Sequence, residues 1–305
     1  MTDEYHIAAF LMVYKRPDEA INHLKGLAAQ SCVPEYLLIV DNGSNKCLEQ
    51  EAKRYLPKCA VFYYCVGSNS GPAGAAAIAL REIASNTDYK IAYWGDEDDP
   101  PHEVTALEEL SRAMMKENCA VIGAVGAKFE SAKGVCRRLK DQEIMGGGLI
   151  AVDYIGGGQS RLVNLDFIRK ENIFPDPDLF FSFEDLEYDL RIKRRGGTIV
   201  VYSPFHLARR KQFGRIGALT EGGNGKKIST WRLYYSTRNT LFIVRQSSNG
   251  FSVCYSMIRQ LLAALRNSIR CNDFGIAYAA LLGTVDYCRN KRGVSESDFI
   301  SRQHG

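Results

Sequence analysis

Four carboxylates follow one another in the run Trp94-Gly95-Asp96-Glu97-Asp98-Asp99-Pro100-Pro101. Like charges packed that closely repel one another unless a cation sits among them. Hard carboxylate oxygens suit Mg²⁺ or Mn²⁺, and a divalent ion held there would neutralise a diphosphate. A solvated acidic turn that leads into the next helix, with Glu103 in its first turn, is the other reading of the same residues. A second acidic group, Glu184-Asp185-Leu186-Glu187-Tyr188-Asp189, follows Phe180, Phe181 and Phe183. Apolar neighbours of that kind push a carboxyl pKa upward by desolvation. Capping of the following helix by Glu184 and Asp185 is the alternative.

The elements that must position these acids alternate between strand and helix. Ile7–Tyr14 is an apolar run that ends at Lys15-Arg16-Pro17, and Pro17 suits a first helical position. Asp18–Gln30 has helical spacing, Tyr36–Val40 reads as a second strand, and Asp41-Asn42-Gly43-Ser44 is a strong turn signal. Cys47–Leu56 reads as a helix, Val61–Val66 as a strand, and Gly71–Ala84 as a small-residue helix entered through Asn69-Ser70. A fourth strand then ends in the acidic run. Repeated units of this length predict an α/β fold with a mostly parallel sheet and right-handed crossovers. Ligands of such sheets bind beyond the carboxyl ends of the strands, where Arg16, Asp41, Asn69 and Asp96–Asp99 all fall.

Beyond the helix expected over Glu103–Glu117, Val121–Phe129 and Gly147–Val152 read as strands. Tyr154–Gln159 reads as a glycine-rich loop and Arg161–Lys170 as a mixed segment. Glu187–Arg195 reads as a helix closed by Gly196-Gly197, and Thr198–Tyr202 as a strand. Gly214–Lys227 is glycine-rich and basic, the pattern of a mobile loop that a ligand orders. From Thr230 to about Asn290 the chain reads as helical.

The composition bounds the function. A chain of 305 residues with 46% hydrophobic and 24% charged residues is long enough for a large folded core. The net charge of +4 is too mild to demand nucleic acid. The basic clusters at Arg191–Arg195 and Arg209–Arg215 lack the aromatic interleaving of a nucleic-acid platform. Nine scattered cysteines without a CxxC pair, and no secretory signal, predict reduced thiols in the cytoplasm. No apolar run reaches the ~20 residues of a membrane span.

Four motifs occur in one order: Ile39-Val40-Asp41-Asn42-Gly43-Ser44; Asn69-Ser70-Gly71-Pro72-Ala73-Gly74; Asp96-Glu97-Asp98 with Pro101; and Phe183-Glu184-Asp185-Leu186-Glu187-Tyr188-Asp189-Leu190-Arg191. Over roughly residues 5 to 245 that order resembles the inverting glycosyltransferases of family 2, which have the GT-A fold. The resemblance implies a catalytic domain over 1–245 and a C-terminal amphipathic helical region over 246–305. It implies that Asp41 bonds the nucleotide base, that Tyr14 and Arg16 flank base and phosphates, and that Asn69, Gly71 and Pro72 line the nucleotide pocket. Asp96 and Asp98 match the metal-binding Asp-X-Asp, with Mn²⁺ or Mg²⁺ as the implied ion. Glu97, on the donor side, replaces a common aspartate, and Asp99 is an extra acid. A register that uses Asp98 or Asp99 in place of Asp96 also fits, and Asp98 is common to both.

Asp185 matches the general base that takes the acceptor proton in an inverting reaction. Glu184 and the loop residues Gly157 and Gly158 are expected on the acceptor side. His206 stands where the family often completes the metal shell, and Arg238 is expected at phosphate or acceptor. Tyr234-Tyr235-Ser236-Thr237-Arg238-Asn239 is similar to members that transfer galactofuranose or rhamnose, and the Glu-Asp-x-Glu-Tyr-x-Leu-Arg variant leans toward galactofuranose. The implied donor is a nucleotide diphosphate sugar, UDP-linked by preference, and the acceptor a lipid-linked or polysaccharide glycan. A nucleotidyltransferase would want a basic signature near the first strand, for which Lys15-Arg16 is too slight, and would leave Asp185 without a role. A non-catalytic scaffold is disfavoured by intact acids at 96, 98 and 185.

The tail admits two readings. Phe251–Ile269 interleaves apolar residues with Arg259, Arg266 and Arg270, which suits peripheral contact with an anionic membrane surface. The same helices would equally pack on the catalytic domain or on a second copy in a homo-oligomer.

Overall fold

The computed structural model describes residues 5–212 and 229–301. The glycine-rich basic segment Gly214–Lys227 therefore lies outside the described residues, as does the end of the Arg209–Arg215 cluster. The first four strands are β1 (Ile7–Val13), β2 (Tyr36–Asp41), β3 (Ala60–Cys65) and β4 (Ile91–Asp96). Between them run α1 (Pro17–Ala28), α2 (Cys47–Tyr55) and α3 (Gly71–Asn86). Pro17 opens α1 as its fixed φ allows, and α3 buries a face made largely of alanine that lets it lie close to the sheet.

The second half is more mixed. It runs α4 (Ala106–Glu117), β5 (Val121–Gly123), β6 (Gly126–Glu130), β7 (Val135–Arg138), α5 (Asp141–Met145), β8 (Leu149–Ala151), β9 (Tyr154–Ile155), β10 (Arg161–Asn164) and α6 (Leu165–Glu171). After a 3-10 turn at Pro177–Leu179 come α7 (Glu184–Arg194), β11 (Ile199–Tyr202) and α8 (Ser203–Gln212). The last helices are α9 (Thr230–Ser247), α10 (Gly250–Cys271), α11 (Gly275–Cys288) and the short α12 (Asp298–Ser301).

The main sheet has eight strands in the order β3-β2-β1-β4-β10-β5-β11-β8. The first four are parallel, as the repeating units predict. β10 enters antiparallel between β4 and β5, β11 is parallel to β5, and β8 closes the edge antiparallel to β11. In register, Met12 stands opposite Asp96 and Val13 opposite Asp41, so Tyr14, Asp41 and Asp96 leave the sheet along one edge. Both faces are covered. Phe10, Met12, Val40 and Trp94 join one apolar cluster, and Ile7, Leu11, Ile39 and Tyr93 join the other. Strands buried on both faces read as continuous apolar runs, which is why β1 and β2 stand out in the sequence.

Two expectations are corrected. Val121–Phe129 is not one strand: β5 stays in the main sheet, while β6 joins β7 and β9 in a separate three-stranded sheet. Helix α7 begins at Glu184 rather than Glu187, which places Asp185 inside its first turn. Pro204-Phe205-His206 forms the opening of α8, with Pro204 where a helix tolerates it.

Candidate functional site

The residues expected at a nucleotide come together at the end of β2 and the start of α3. Asp41 is buried, and its two oxygens accept from Gly43 N–H at 2.6 Å, Asn45 N–H at 2.7 Å and Tyr63 O–H at 2.7 Å. Neighbouring Asn42 accepts from Ser70 N–H and O–H and donates to Gly71 C=O, tying the β2 turn to the start of α3. Asn69 Oδ1 accepts from Gly71 N–H at 3.0 Å. Gly71 has φ +69°, and a Cβ there would meet Phe180 C=O at 2.1 Å. Glycine is thus required at 71 by the loop that carries Asp185, because only glycine adopts that φ and that approach freely.

At the end of β4 the four acids have separate fates. Glu97 accepts from Tyr14 N–H at 2.7 Å and lies 3.8 Å from Arg16 Nε. Burial nonetheless raises its carboxyl to about 7, against the Tyr14 hydrogen bond and Arg16. Asp98 is exposed and pairs with Arg16 Nη1 at 3.1 Å. Asp99 accepts from Gln159 N–H at 2.8 Å, from Gln159 Nε2 at 2.9 Å and from Arg209, with His102 Nε2 at 3.2 Å. Burial opposes ionisation of Asp99, but these bonds outweigh it and hold the carboxyl below its ordinary value. Asp99, whose role the sequence leaves open, is therefore the clasp between the acidic run, the glycine-rich loop and α8. Asp96 receives no such bond among the described residues. Burial, then the charges of Asp98, Asp185 and Asp99, raises it to about 7.

The start of α7 comes to meet Asp96. Asp185 accepts from Gly157 N–H at 3.1 Å through Oδ2 and from Leu186 N–H at 2.7 Å through Oδ1. A Cβ on Gly157 would lie 2.8 Å from Asp96 Oδ2, so the bare backbone of Gly157 separates the two carboxylates. A Cβ on Gly158 would meet Asp99 Oδ2 at 2.7 Å instead. Glu184 Oε2 is buried without a hydrogen-bond partner. Burial, with Asp185 close by, holds the Glu184 carboxyl well above its ordinary value. Burial also raises Asp185, against the opposing pull of Arg161. Asp96, Glu184 and Asp185 thus form a crowded acidic centre around Gly157, at the carboxyl edge of the sheet.

Beneath it lies an ion pair that sequence inspection does not single out. Arg161 is fully buried, stacks 4.5 Å from the Trp94 ring and binds Asp189 through both terminal nitrogens. Asp189 also accepts from Ile155 N–H at 2.8 Å, and Arg161 donates to Ile155 C=O. The pair fixes the strand that leads into Gly156-Gly157-Gly158. The i, i+4 spacing of Asp185 and Asp189 on one helix face was its available signal, but the arginine arrives from β10, opposite Trp94 in register.

The loop before Asp185 is strained. Phe180, Ser182 and Phe183 are non-glycine residues with φ of 62°, 68° and 64°. Such residues persist only where their surroundings over-determine them. Asn239 Nδ2 donates to Leu179, Phe181 and Ser182 C=O at 2.8 to 3.0 Å, and Arg238 donates to Leu179 and Gly293 C=O. Phe180 and Phe181 pack with Trp231, Tyr234 and Tyr235 of α9. Arg238 is 1% exposed and spends its guanidinium on carbonyls. The structure therefore corrects its expected place at phosphate or acceptor: it supports the loop from behind.

The acids fit a hard divalent ion by donor chemistry, since Asp96 and Asp98 offer carboxylate oxygens and Asp96 is raised by burial and then by neighbouring acids whose repulsion a cation relieves. His206 does not join them. It is buried in α8, where burial and the nearby Arg210 and Arg209 lower it to about 4. Among the described residues no three His, Cys, Asp or Glu side chains gather as a metal cage.

No family model matches the chain. Galactofuranosyltransferase GlfT1 of Mycobacterium tuberculosis is 24% identical over 249 aligned residues, covering 74% of this chain and 80% of that protein. Residues 1–349 of S. aureus TarS, solved with UDP-GlcNAc, match with a TM-score of 0.57 at 12% identity, over 94% of this chain and 81% of that one. Mannosyltransferase PcManGT from Pyrobaculum calidifontis, solved with GDP-Man and Mn²⁺, matches with a TM-score of 0.53 at 12% identity, over 95% and 89% of the two chains. The fold is GT-A. The expectation of a glycosyltransferase stands, since the sequence relative is a galactofuranosyltransferase and one structural neighbour a mannosyltransferase. The GT-A frame accounts for the edge at which Tyr14, Asp41 and Asp96 emerge, and the acidic centre lies at that edge.

Proposed function

We propose that the chain is a divalent-metal-dependent, inverting glycosyltransferase that moves galactofuranose from its UDP-linked donor to a lipid-linked or polysaccharide glycan. The observation that carries the reading is the approach of Asp96 and Asp185 on either side of Gly157. One acid comes from the strand that faces the donor diphosphate, the other from a helix start behind an aromatic loop. In the reaction the acceptor hydroxyl oxygen attacks the anomeric carbon, the bond to the nucleotide diphosphate breaks, and the hydroxyl proton passes to Asp185. A base raised toward neutrality by burial suits that transfer. Asp96 and Asp98 would hold the divalent ion, which supplies charge stabilisation to the departing diphosphate. Arg16 stands beside them, while Asp41, Asn69, Gly71 and Pro72 shape the nucleotide side. Glu184, Gly157 and Gly158 lie on the acceptor side.

Galactofuranose is supported by the name of the mycobacterial relative and by the Glu-Asp-x-Glu-Tyr-x-Leu-Arg variant. Mn²⁺ is supported by its presence in the mannosyltransferase complex. The place of work is the cytoplasm, with peripheral contact at the inner face of the cell membrane. The test is a donor screen with UDP-galactofuranose, UDP-galactose, UDP-glucose and dTDP-rhamnose, with and without Mn²⁺. Metal-dependent turnover of UDP-galactofuranose is expected. Preferential use of dTDP-rhamnose would move the reading to a rhamnosyltransferase. Metal-independent turnover would overturn the role given to Asp96 and Asp98.

A further inference from the structure

Helix α10 buries Ser252, Val253, Ser256, Ala264 and Ser268 against its neighbours, and turns a different set of residues to solvent. Phe251 is 81% exposed, Leu262 62% and Ile269 70%, with Tyr255, Ile258 and Leu265 exposed between them. The spacing is four, three, four, three and four residues, so the six side chains form one continuous stripe. It runs nearly the whole helix, roughly 27 Å from Phe251 to Ile269 at about 1.5 Å per residue. After the turn, Phe274 at the cap of α11, then Tyr278 and Leu281 within it, repeat the same spacing in the open. An exposed apolar stripe of this length marks an interaction surface.

Charge decides what covers it. Arg266 and Arg270 each follow a stripe residue directly and are exposed, so they lie along one flank of it, while Arg259 is half-buried and donates to Gly134 C=O at 3.2 Å. Helix α10 contains no Asp or Glu, and in α11 the single acid, Asp286, accepts from Tyr234 O–H. Asp273, between the helices, is engaged by Gly275 N–H. A second copy laid along the stripe would set arginines against arginines or against Cys254 and Leu261, with no carboxylate of α10 to answer them. A bilayer surface with anionic headgroups answers both features at once: acyl chains take the apolar stripe and phosphates take the arginines. The two aromatic residues near each end, Phe251 and Tyr255 at one and Phe274 and Tyr278 at the other, suit the headgroup boundary. No helix among the described residues is long and apolar enough to cross a membrane, so this contact lies on the surface.

We infer that α10, continued by the start of α11, docks the protein flat on an anionic lipid bilayer. The inference deepens the proposed lipid-linked or membrane-proximal acceptor and rests on that reading for its purpose, but its test needs no turnover. The intact chain is mixed with vesicles of phosphatidylcholine, and with vesicles in which about one-third of the lipid is phosphatidylglycerol. It should sediment with the anionic vesicles, and rising salt should release it. Ile258→Glu with Leu262→Glu should lower partitioning by about tenfold or more, while hydrolysis of donor in solution stays as in the parent. Arg266→Gln with Arg270→Gln should abolish most of the preference for anionic over neutral vesicles. Ile258, Leu262, Arg266 and Arg270 all face solvent, so the variants should keep the parent's circular dichroism and melting curve. Absence of vesicle binding by the parent would overturn the inference and leave the transferase reading intact. It would also be overturned by a solution dimer that Leu262→Glu splits while vesicle binding is unaffected, because the stripe would then belong to a second copy.

Discussion

The end of β4 and the start of α7 both crowd acids, and both divide them the same way. At β4, Glu97 is tied to Tyr14, Asp98 to Arg16, and Asp99 to Gln159 and Arg209, which leaves Asp96. At α7, Asp189 is neutralised by Arg161 and Glu187 binds Arg191 at 2.7 Å, which leaves Glu184 and Asp185 short of positive partners. The acids left over from the two regions meet at Gly157. An acidic cluster in sequence is thus divided between acids tied to partners and acids short of positive charge, and the division is made by residues distant in sequence.

The largest effect should separate two aspartates one turn apart on α7. Asp185→Asn keeps shape and removes the proton acceptor, so transfer should fall by about 10²- to 10⁴-fold with nucleotide affinity largely kept. Asp189→Asn should instead lower stability, because it leaves Arg161 buried opposite a neutral amide. Comparable loss of turnover in both, at equal melting temperature, would dissolve the distinction between base and clasp.

The buried pair can be broken from the other side. Arg161→Met should destabilise the fold by about 3–5 kcal/mol, the usual cost of leaving a buried carboxylate uncompensated. Denaturant unfolding measures it. The double variant Arg161→Met with Asp189→Leu should recover much of the loss, since apolar replacement of a whole buried pair is often neutral. If recovery is complete but transfer stays low, the pair's purpose is to place the glycine-rich loop.

Much of this was visible in the residues. The four parallel strands, Asp41 in its turn and the acidic run announced themselves because each is local: an apolar run, an Asx turn, a cluster. Arg161 did not, because its meaning lies in a cross-strand register with Trp94 and a contact to α7. Nor did the role of Arg238 and Asn239, which act on backbone carbonyls of residues 179–182. Backbone acceptors leave no mark in a sequence. In the sequence Gly71 reads as nucleotide lining, and its crowding against Phe180 C=O appears only once two distant loops are packed.

Adjacent glycines sharpen the contrast further. Gly157→Ala would drive a methyl toward Asp96 Oδ2, so transfer should fall about tenfold to a hundredfold, as for small displacements at a reacting centre. Gly158 has φ +72° and faces Asp99, the clasp. Gly158→Ala should therefore cost about 1–2 kcal/mol of stability from the left-handed backbone, with a smaller loss of turnover. Reversed effects would mean that the two regions have been assigned the wrong way round.

The smallest effect concerns protons at Asp96. Its carboxyl ordinarily titrates near 3.8 and is raised to about 7 in the folded chain, first by burial and then by the neighbouring acids. Between those values the folded chain holds the proton more tightly than the unfolded chain does. The stabilisation this provides is complete below the unfolded value and disappears as pH rises through the folded one. Asp96→Asn carries no such proton, so it should exceed the parent in stability at about pH 8, by about 1–2 kcal/mol after discounting for solvent screening. The difference should shrink toward about pH 4, where the parent's carboxyl is neutral as well. Glu97, raised to about 7 by burial, titrates in the same direction and keeps some slope in the variant. Added Mn²⁺ should raise the parent's melting temperature near neutral pH and leave Asp96→Asn nearly unmoved, because an ion that binds only the folded chain stabilises it by mass action. Parallel stability curves for parent and variant across this window would show that Asp96 is as well compensated as Asp99, and the partition at β4 would fall.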